Sequence, residues 1–324
     1  MRAIQIESYD GPAAVRLRDI PPPRDDGSSV RITVHAAGVA FPEVLQSSGR
    51  YQLQPDLPFV PGTEIAGVIE AAPDGSGFAP GDRVYAWCRL GGFAETAVAA
   101  TEATFPLPDG FGFTEGAGLF LNYHTAYFAL VDRGRALSGE TVLIHGAAGG
   151  VGTATIQVAS ALGLRPIALV STPEKAEIAR RAGATDVVLG TAGWKDRVLE
   201  LVPGGVDLVV DVVGDEVVDS LRALRDTGRL LIVGFAGGRI PEVKVNRLLL
   251  RNLEVIGVGY GTAALADPAV TSSIARALDG MVRSGAIRPV IGAELPLEKA
   301  AEALTLLDSR RAQGKVVLRV REGD

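Results

Sequence analysis

The sequence is poor in the residues that cross-link a chain or bind a transition metal. Its 324 residues include one cysteine, Cys88, and three histidines, His35, His124 and His145. A disulfide within the chain is therefore excluded, and a single cysteine is typical of a reducing compartment such as the cytoplasm. We interpret Cys88 as a packed small side chain rather than a nucleophile, because no histidine lies near it in the sequence.

Excess positive charge and long apolar runs are also missing. The net charge is −6 and the pI is near 5.3, so we expect no basic surface for nucleic acid or anionic lipid. No apolar run approaches the roughly 18 residues that a membrane span needs, and the N-terminus has no apolar signal core. The length predicts about two domains.

A short apolar strand, a glycine-rich turn and a helix follow one another from Thr141 to Ser160. Within the turn, Ala147, Gly149 and Gly152 form A-x-G-x-x-G, one residue away from the dinucleotide-binding motif. Gly149 would leave room for a pyrophosphate, and Gly152 would let the helix pack closely on the strand. The predicted cofactor contacts here are Ala148, Gly149, Gly150, Val151 and Gly152. The alternative is a glycine-rich turn that binds no ligand.

The chain changes character near Glu115. Before that residue, 12 of the 19 prolines separate short runs that alternate apolar and polar residues, which predicts a β-rich, barrel-like domain. Within this domain, residues 38–64 are predicted to form a long loop. After it, six apolar strands alternate with helical stretches, which predicts a parallel, doubly wound sheet of the α/β class. These strands are predicted at 141–144, 166–170, 186–189, 207–211, 229–233 and 253–258. A helix is predicted from Gly116 to Asp132, and another after the second strand, with Thr172 as its cap and Pro173 at its first position. A last strand, 315–320, could return to the first domain and leave a cleft between the two.

The position that selects the dinucleotide lies at the end of the second of these strands. An NAD site usually has an acidic residue there, and this chain has Ser171 instead. Ser171 can donate a hydrogen bond to a 2′-phosphate, and Lys175 can neutralise its charge. Glu174 need not point the same way as Lys175, and Lys175 could equally be a solvated surface charge. We therefore expect NADPH rather than NADH.

The chain resembles the zinc-free, quinone oxidoreductase (ζ-crystallin-like) branch of the medium-chain dehydrogenase/reductase family over essentially its whole length. The resemblance is carried by Ala37-Gly38-Val39, Tyr51, Pro61-Gly62-Thr63-Glu64, Gly81-Asp82-Arg83-Val84, Gly91-Gly92-Phe93-Ala94-Glu95, HGAAGGVG, Gly234-Phe235, Asn246-Arg247-Leu248, Gly285-Ala286-Ile287-Arg288-Pro289 and Gly314-Lys315-Val316-Val317. It implies a GroES-like catalytic domain over residues 1–121 and 263–324, and a Rossmann domain over residues 122–262. It further implies hydride transfer from NADPH to a quinone-like acceptor, without a metal.

Two positions differ from what relatives carry. Thr63 stands where the zinc enzymes of the family have a histidine, and the few histidines and the one cysteine cannot build a convincing zinc site. Ala40 stands where relatives usually have an asparagine near the nicotinamide. A polar contact is therefore missing or replaced, which leaves the acceptor open.

The resemblance also assigns site residues. Tyr51 matches the family tyrosine close to the nicotinamide, and Tyr123 and Thr125 match positions near the cofactor. Phe235 and Gly259 follow the fifth and sixth strands, where the family places the nicotinamide. Lys315 could reach the cofactor or could face solvent, and Glu64 could be a paired structural anion.

Three functions stay open on these residues. The first is an NADPH-dependent quinone reductase, the second an enone or enoyl reductase with Tyr51 or Tyr123 as proton donor, and the third a non-catalytic NADPH-binding protein. The sixth strand is predicted at the edge of its sheet, where it could join two copies of the chain in a homodimer.

Overall fold

The computed structural model describes residues 1–24 and 27–321. The strands are β1 (Arg2–Gln5), β2 (Arg16–Asp19), β3 (Val30–Val39), β4 (Glu64–Ala71), β5 (Arg83–Trp87), β6 (Thr96–Ala99), β7 (Thr104–Pro106), β8 (Thr141–His145), β9 (Arg165–Val170), β10 (Asp186–Leu189), β11 (Val206–Asp211), β12 (Leu224–Ile232), β13 (Glu254–Gly257), β14 (Ile291–Pro296) and β15 (Lys315–Arg319). The α-helices are α1 (Phe41–Ser47), α2 (Phe113–Gly116), α3 (Phe120–Tyr127), α4 (Gly150–Ala161), α5 (Pro173–Arg181), α6 (Trp194–Leu201), α7 (Val217–Ala223), α8 (Asn246–Leu249), α9 (Tyr260–Ala266), α10 (Pro268–Arg283) and α11 (Ala300–Asp308).

The first of two compact units combines Met1–Leu121 with Pro289–Asp324. Its main sheet has the order β14-β15-β3-β4-β5-β7, and β6 pairs with β3. Side chains of β3, β4 and β15 supply much of its core, including Ile32, Ile65 and Leu318, none of which is exposed. The predicted return of the last strand is confirmed, because β15 pairs antiparallel with β3. Sequence reasoning missed β6, β7 and β14.

The second unit is Asn122–Arg288. Its six strands are all parallel in the order β10-β9-β8-β11-β12-β13, which is the 3-2-1-4-5-6 order of the dinucleotide-binding fold. The predicted α/β class, with a GroES-like β-rich domain and a doubly wound sheet, is confirmed. Central strand β8 is fully buried, as its unbroken apolar run predicts.

The second domain boundary lies later than the sequence predicted. We expected the chain to leave the nucleotide domain at residue 263, and it does so at 289. The amphipathic helix α10 buries Ile274, Leu278 and Val282 as part of the second unit. At the end of that unit, Gln157 binds both the N–H and the carbonyl of Arg288 at 2.9 Å.

Two local predictions were also wrong. Residues 38–64 were expected to be a loop, but they include α1, which begins at Phe41 with a proline in its first turn. The single helix expected from Gly116 to Asp132 is divided into α2, a turn, α3 and a π-helical segment at Phe128–Arg133. Among the described residues, no helix is long and apolar enough to cross a membrane.

Candidate active site

The glycine turn lies at the carboxyl end of β8 and leads directly into α4. Gly146 has φ +61°, a left-handed conformation that favours glycine, and Gly149 is the N-cap of α4. Gly150, Val151 and Gly152 form the first three positions of α4, so their N–H groups have no acceptor within the helix. Gly149, Gly150 and Val151 are partly exposed, whereas Ala148 and Gly152 are buried. This is the arrangement in which a helix N-terminus binds a pyrophosphate.

Gly149 and Gly152 differ in the space around them. A Cβ atom on Gly152 would lie 2.3 Å from the carbonyl oxygen of Gly146 and 2.6 Å from the Cα of Ala147, so only glycine fits. A Cβ atom on Gly149 would meet nothing closer than that same oxygen, at 3.4 Å. The turn therefore meets the steric requirements of a dinucleotide: close helix–strand packing at Gly152 and open space at Gly149.

The loops after β11, β12 and β13 share this edge, because parallel strands end on the same side. Asp211 closes β11, and its buried Oδ1 accepts hydrogen bonds from the N–H groups of Val213 and Gly214, both at 2.8 Å. Phe235 follows β12 and is 38% exposed, and Gly259 follows β13 as the N-cap of α9. Both residues are at the expected edge, and their contact with a nicotinamide stays a prediction.

Ser171 and Lys175 lie at the end of β9 and the start of α5. Ser171 is exposed directly after the last residue of β9. Thr172 caps α5, because its hydroxyl accepts a hydrogen bond from the N–H of Lys175 at 3.3 Å, and Pro173 opens the helix as predicted. Lys175 therefore stands in the first turn of α5. In this fold, residues that follow the second strand of the sheet contact the 2′-substituent of the ribose.

Tyr123 and Thr125 are both buried on α3 but on different sides, because residues two apart on a helix do not face each other. The hydroxyl of Tyr123 donates to Oε1 of Gln157 at 2.7 Å. Burial also raises the pKa of Tyr123 well above its ordinary value. This hydroxyl is engaged within the unit, so the geometry does not favour Tyr123 as a proton donor. A role for Thr125 stays a prediction.

In the first unit, α1 brings together residues that the sequence left apart. Ala40 is its N-cap, with the extended backbone that a capping residue adopts and no side chain to cap with. Glu43, which is not exposed, accepts the N–H of Ala40 at 2.9 Å with Oε2 and the hydroxyl of Thr63 at 2.7 Å with Oε1. Burial raises the pKa of Glu43 to about 7, against the opposing effects of the Thr63 hydrogen bond and the Lys315 charge.

Tyr51 and Cys88 lie within the electrostatic reach of Glu43. Tyr51 is partly buried after the end of α1, and its pKa is raised by burial and then by the Glu43 charge. Burial raises the pKa of the Cys88 thiol to about 12, and its sulfur lies 3.6 Å from the carbonyl oxygen of Gly62. This thiol is not poised for nucleophilic chemistry, which confirms its interpretation as a packing residue.

The expectation that Lys315 could face solvent is wrong. Its side chain is 3% exposed and its ammonium donates to Oε1 of Glu64, which is not exposed at all. The predicted pairing of Glu64 is therefore confirmed. The ion pair accounts for Lys315 without a cofactor contact, and direct cofactor binding by Lys315 stays a prediction.

Glu43 is the site residue that sequence reasoning missed. It directly follows Pro42 in a segment that was expected to be a loop, and a helix assigned from Phe41 would have marked it as a capping glutamate at the third helical position. Its contact with Thr63 joins residues 20 apart in sequence, and no local signal carries that contact. Among the described residues, no group of three or more histidine, cysteine, aspartate or glutamate side chains could hold a metal ion.

Comparisons with known proteins agree with both units. Residues 26–109 match the family model of the alcohol dehydrogenase GroES-like domain, and residues 150–277 match that of zinc-binding dehydrogenase. The quinone oxidoreductase of Rattus norvegicus is 35% identical over 325 residues, which cover 98% of this chain and 97% of the relative.

Solved structures show the same likeness. The quinone oxidoreductase of Thermus thermophilus, solved alone and with NADPH, is 36% identical with a TM-score of 0.85, covering 99% of this chain and 100% of that one. A probable oxidoreductase of Mycobacterium abscessus is 40% identical with a TM-score of 0.91, covering 99% of each chain. The chain therefore belongs to the zinc-free quinone oxidoreductase branch of the medium-chain dehydrogenase/reductase family.

Proposed function

We propose that this protein is an NADPH-dependent oxidoreductase that reduces a quinone-like electrophilic acceptor. The observation that carries the proposal is the glycine turn at the carboxyl end of β8. There, Gly152 packs closely against the backbone of Gly146 and Ala147, Gly149 leaves open space, and the first N–H groups of α4 have no acceptor within the helix. Relatives that share the whole length of the chain are named quinone oxidoreductases, and the Thermus enzyme was solved with NADPH. When bound, NADPH supplies the hydride.

The residues of the second unit hold the cofactor. The first turn of α4 binds the pyrophosphate through backbone N–H groups and the positive end of the helix. Ser171 and Lys175 bind the 2′-phosphate of NADPH, since the residue directly after β9 is a serine and not the acidic residue that would bind a free ribose hydroxyl. Phe235 and Gly259 border the nicotinamide, and Tyr123 and Thr125 of the same unit border the cofactor. The resemblance to the family is what supports Tyr51 as a contact of the acceptor.

Cofactor selectivity gives the first test of this arrangement. Lys175→Ala should raise the Kd of NADPH at least tenfold and leave the Kd of NADH within about twofold, because one charge-assisted contact to a phosphate is lost. Lys195→Ala, in the same unit, is the matched control and should change neither constant. Equal losses for both coenzymes in titration calorimetry would contradict the assignment of the 2′-phosphate site.

The acceptor is tested by NADPH oxidation with a benzoquinone and then with an alkenal. Turnover of the quinone supports the main proposal, whereas turnover of the alkenal alone favours an enone reductase. Tyr51→Phe separates the roles further, because loss of only the alkenal reaction would make Tyr51 a proton donor. Tight NADPH binding without turnover across both acceptors would identify a non-catalytic NADPH-binding protein.

A homodimer joined through β13 is part of the proposal, and so is a reducing, cytoplasmic location for a chain with one cysteine. The edge strand β13 carries Val255, 42% exposed, and four further apolar residues before it are 75–79% exposed: Ile240, Val245, Leu249 and Leu250. Exposed apolar surface beside a free strand edge favours pairing between copies. Leu249→Lys with Leu250→Lys should give a monomer in sedimentation at micromolar concentration. The control is Leu137→Lys, also exposed but placed before β8; a monomeric wild-type protein would contradict the proposal.

A further inference from the structure

The end of β10 lies directly beside the end of β9 in the second unit. Leu189, the last residue of β10, pairs in register with Val170, the last residue of β9. The N–H of Gly190 then donates to the carbonyl oxygen of Val170 at 2.7 Å. Because neighbouring strands are about 5 Å apart, the residues that follow β10 lie next to Ser171, which follows β9 at the proposed 2′-phosphate site.

Arg197 binds the segment that follows β10. Its Nη2 donates to the carbonyl oxygen of Leu189 at 2.7 Å, and to the carbonyl and hydroxyl oxygens of Thr191 at 3.2 and 3.0 Å. Its Nη1 donates to the carbonyl oxygen of Ala192 at 3.2 Å. Arg197 belongs to α6, yet these contacts hold its guanidinium at the carboxyl end of β10. Its positive charge therefore lies at the same end of the sheet as the proposed 2′-phosphate site.

These contacts do not neutralise the charge of Arg197. All of them go to neutral oxygen atoms, and in the part of the chain that the structure describes, no carboxylate lies within ion-pair distance of this guanidinium. Lys195, two residues earlier on the same helix, differs because it binds Asp196 at 2.8 Å. Anchoring a loop requires hydrogen-bond donors but no unpaired charge, so the charge calls for a further partner.

An open cleft gives a ligand access to this guanidinium. Arg197 is partly exposed, and together with Thr191 it lines a cleft of about 480 Å³ that is formed by residues of β10 and α6. Glu200 lines the same cleft but forms no ion pair with Arg197. A phosphate is the anion that suits such a site, because arginine can bind it with two parallel N–H donors.

We propose that Arg197 binds the 2′-phosphate of NADPH together with Ser171 and Lys175, and thereby helps to determine the preference for NADPH over NADH. The inference rests on the proposed function, to which it adds a specificity-determining residue. A phosphate monoester carries a charge of about −1.5 to −2 at neutral pH, more than one lysine neutralises. NADH has only a hydroxyl group at this position, so its binding does not use Arg197.

Adenosine 2′,5′-bisphosphate and AMP are the probes for the test, because they differ only in the 2′-phosphate and bind without any hydride transfer. Titration calorimetry on the full-length protein should show that Arg197→Gln raises the Kd of the bisphosphate about tenfold or more and changes the Kd of AMP by less than about twofold. NADPH and NADH should differ in the same way. If the variant weakened both nucleotides equally, Arg197 would only shape the loop and the proposal would be overturned.

Arg180→Gln is the matched control. Arg180 stands in the last turn of α5, far along the helix from the end that follows Ser171, and it pairs with Glu177 at 3.7 Å. Its variant should bind both nucleotides as the wild type does. Thermal unfolding of each variant establishes that the protein used for binding is folded.

A measurement on the wild-type protein does not depend on the folding of a variant. Phenylglyoxal modifies arginine side chains, and mass spectrometry of the digested protein gives the extent of modification at each position. Saturating bisphosphate should slow the modification of Arg197 by about tenfold, because the phosphate occupies its donors, whereas saturating AMP should not. Arg180 should respond to neither nucleotide. Equal modification of Arg197 with the two nucleotides would count against the proposal as decisively as an unselective variant.

The outcomes separate the two proposals. A wild-type protein that binds neither NADPH nor the bisphosphate overturns the proposed function, and this inference falls with it. If the wild type prefers NADPH and the folded Arg197→Gln variant keeps that preference, the role of Arg197 alone is overturned, and the 2′-phosphate is left to Ser171 and Lys175.

Discussion

Lys315 and Glu64, 251 residues apart in the chain, form an ion pair that is almost completely buried. The other oxygen of Glu64 accepts the N–H of Leu121 at 2.9 Å, in the first turn of α3. Gly38 makes room for the pair, because a Cβ atom there would lie 2.7 Å from the side chains of both residues. The pair thereby connects β4, β15 and the start of α3 within the first unit.

Removing one partner of this pair should be costly. Lys315→Met leaves the Glu64 carboxylate buried without a counter-ion, and we expect a loss of about 3–5 kcal/mol in the free energy of unfolding. Adding Glu64→Gln should recover most of that loss, because the amide oxygen still accepts from Leu121 and no charge remains. Urea unfolding of both variants measures the difference. Equal midpoints for the single and the double variant would show that the charge is not what makes the substitution costly.

Alanine substitutions at two glycines of the turn should affect different properties: Gly152→Ala should lower stability, and Gly149→Ala should weaken NADPH binding. Gly152→Ala forces a Cβ to within 2.3 Å of a backbone oxygen, so we expect destabilisation of at least about 2 kcal/mol. Gly149→Ala meets only an ordinary contact and should unfold like the wild type, yet bind NADPH at least tenfold more weakly. Thermal unfolding and calorimetry give the two readouts. If Gly149→Ala bound NADPH with wild-type affinity, the assignment of the pyrophosphate to this turn would be wrong.

The acid Glu43 predicts how stability depends on pH. Its pKa in the folded protein, about 7, is above the ordinary 4.5, so the folded state binds more protons than the unfolded state between these values. The contribution of Glu43 to stability is therefore greatest at low pH and is lost as the pH rises through about 7, by about 3 kcal/mol in total.

Glu43→Gln measures this contribution, because the amide does not titrate. Between pH 5 and pH 8, the stability of the variant should improve relative to the wild type by up to about 3 kcal/mol. Glu115 also caps a helix, because it accepts the N–H of Gly112 at 3.0 Å, but it is partly exposed. Glu115→Gln is therefore the control for replacing a capping glutamate by glutamine. A pH-independent difference for Glu43→Gln would show that Glu43 is ionised throughout this range.

Ala40 offers a gain in stability. It is the N-cap of α1, a position where asparagine is favoured because its side chain accepts a free helix N–H. The resemblance to the family implies an asparagine at this position in relatives. Ala40→Asn should stabilise the protein by about 1 kcal/mol with little change in turnover. If turnover rises while stability does not, the family asparagine acts at the substrate instead. Unfolding and steady-state kinetics on one preparation decide between them.

Sequence reasoning was most accurate where the signal is local. Strand β10 lies at the predicted residues, and β8 and β9 are each longer by one residue. Thr172 and Pro173 open α5 as their side chains require. Helix α1 was missed because it has only seven residues and its cap is an alanine. The sequence therefore shows neither a helical repeat of apolar residues nor a typical capping residue at this place.

The sequence by itself determined the strands of the second unit, the glycine turn and the family, because each is recognised from short runs of neighbouring residues. Only the tertiary structure decided which buried polar side chains bind each other. Glu43 with Thr63 and Glu64 with Lys315 are long-range contacts of buried groups, and their pairing follows from strand order in the first unit rather than from spacing. Burial then raises the pKa of Glu43, since the free energy of a charge depends on its surroundings and not on its position in the chain.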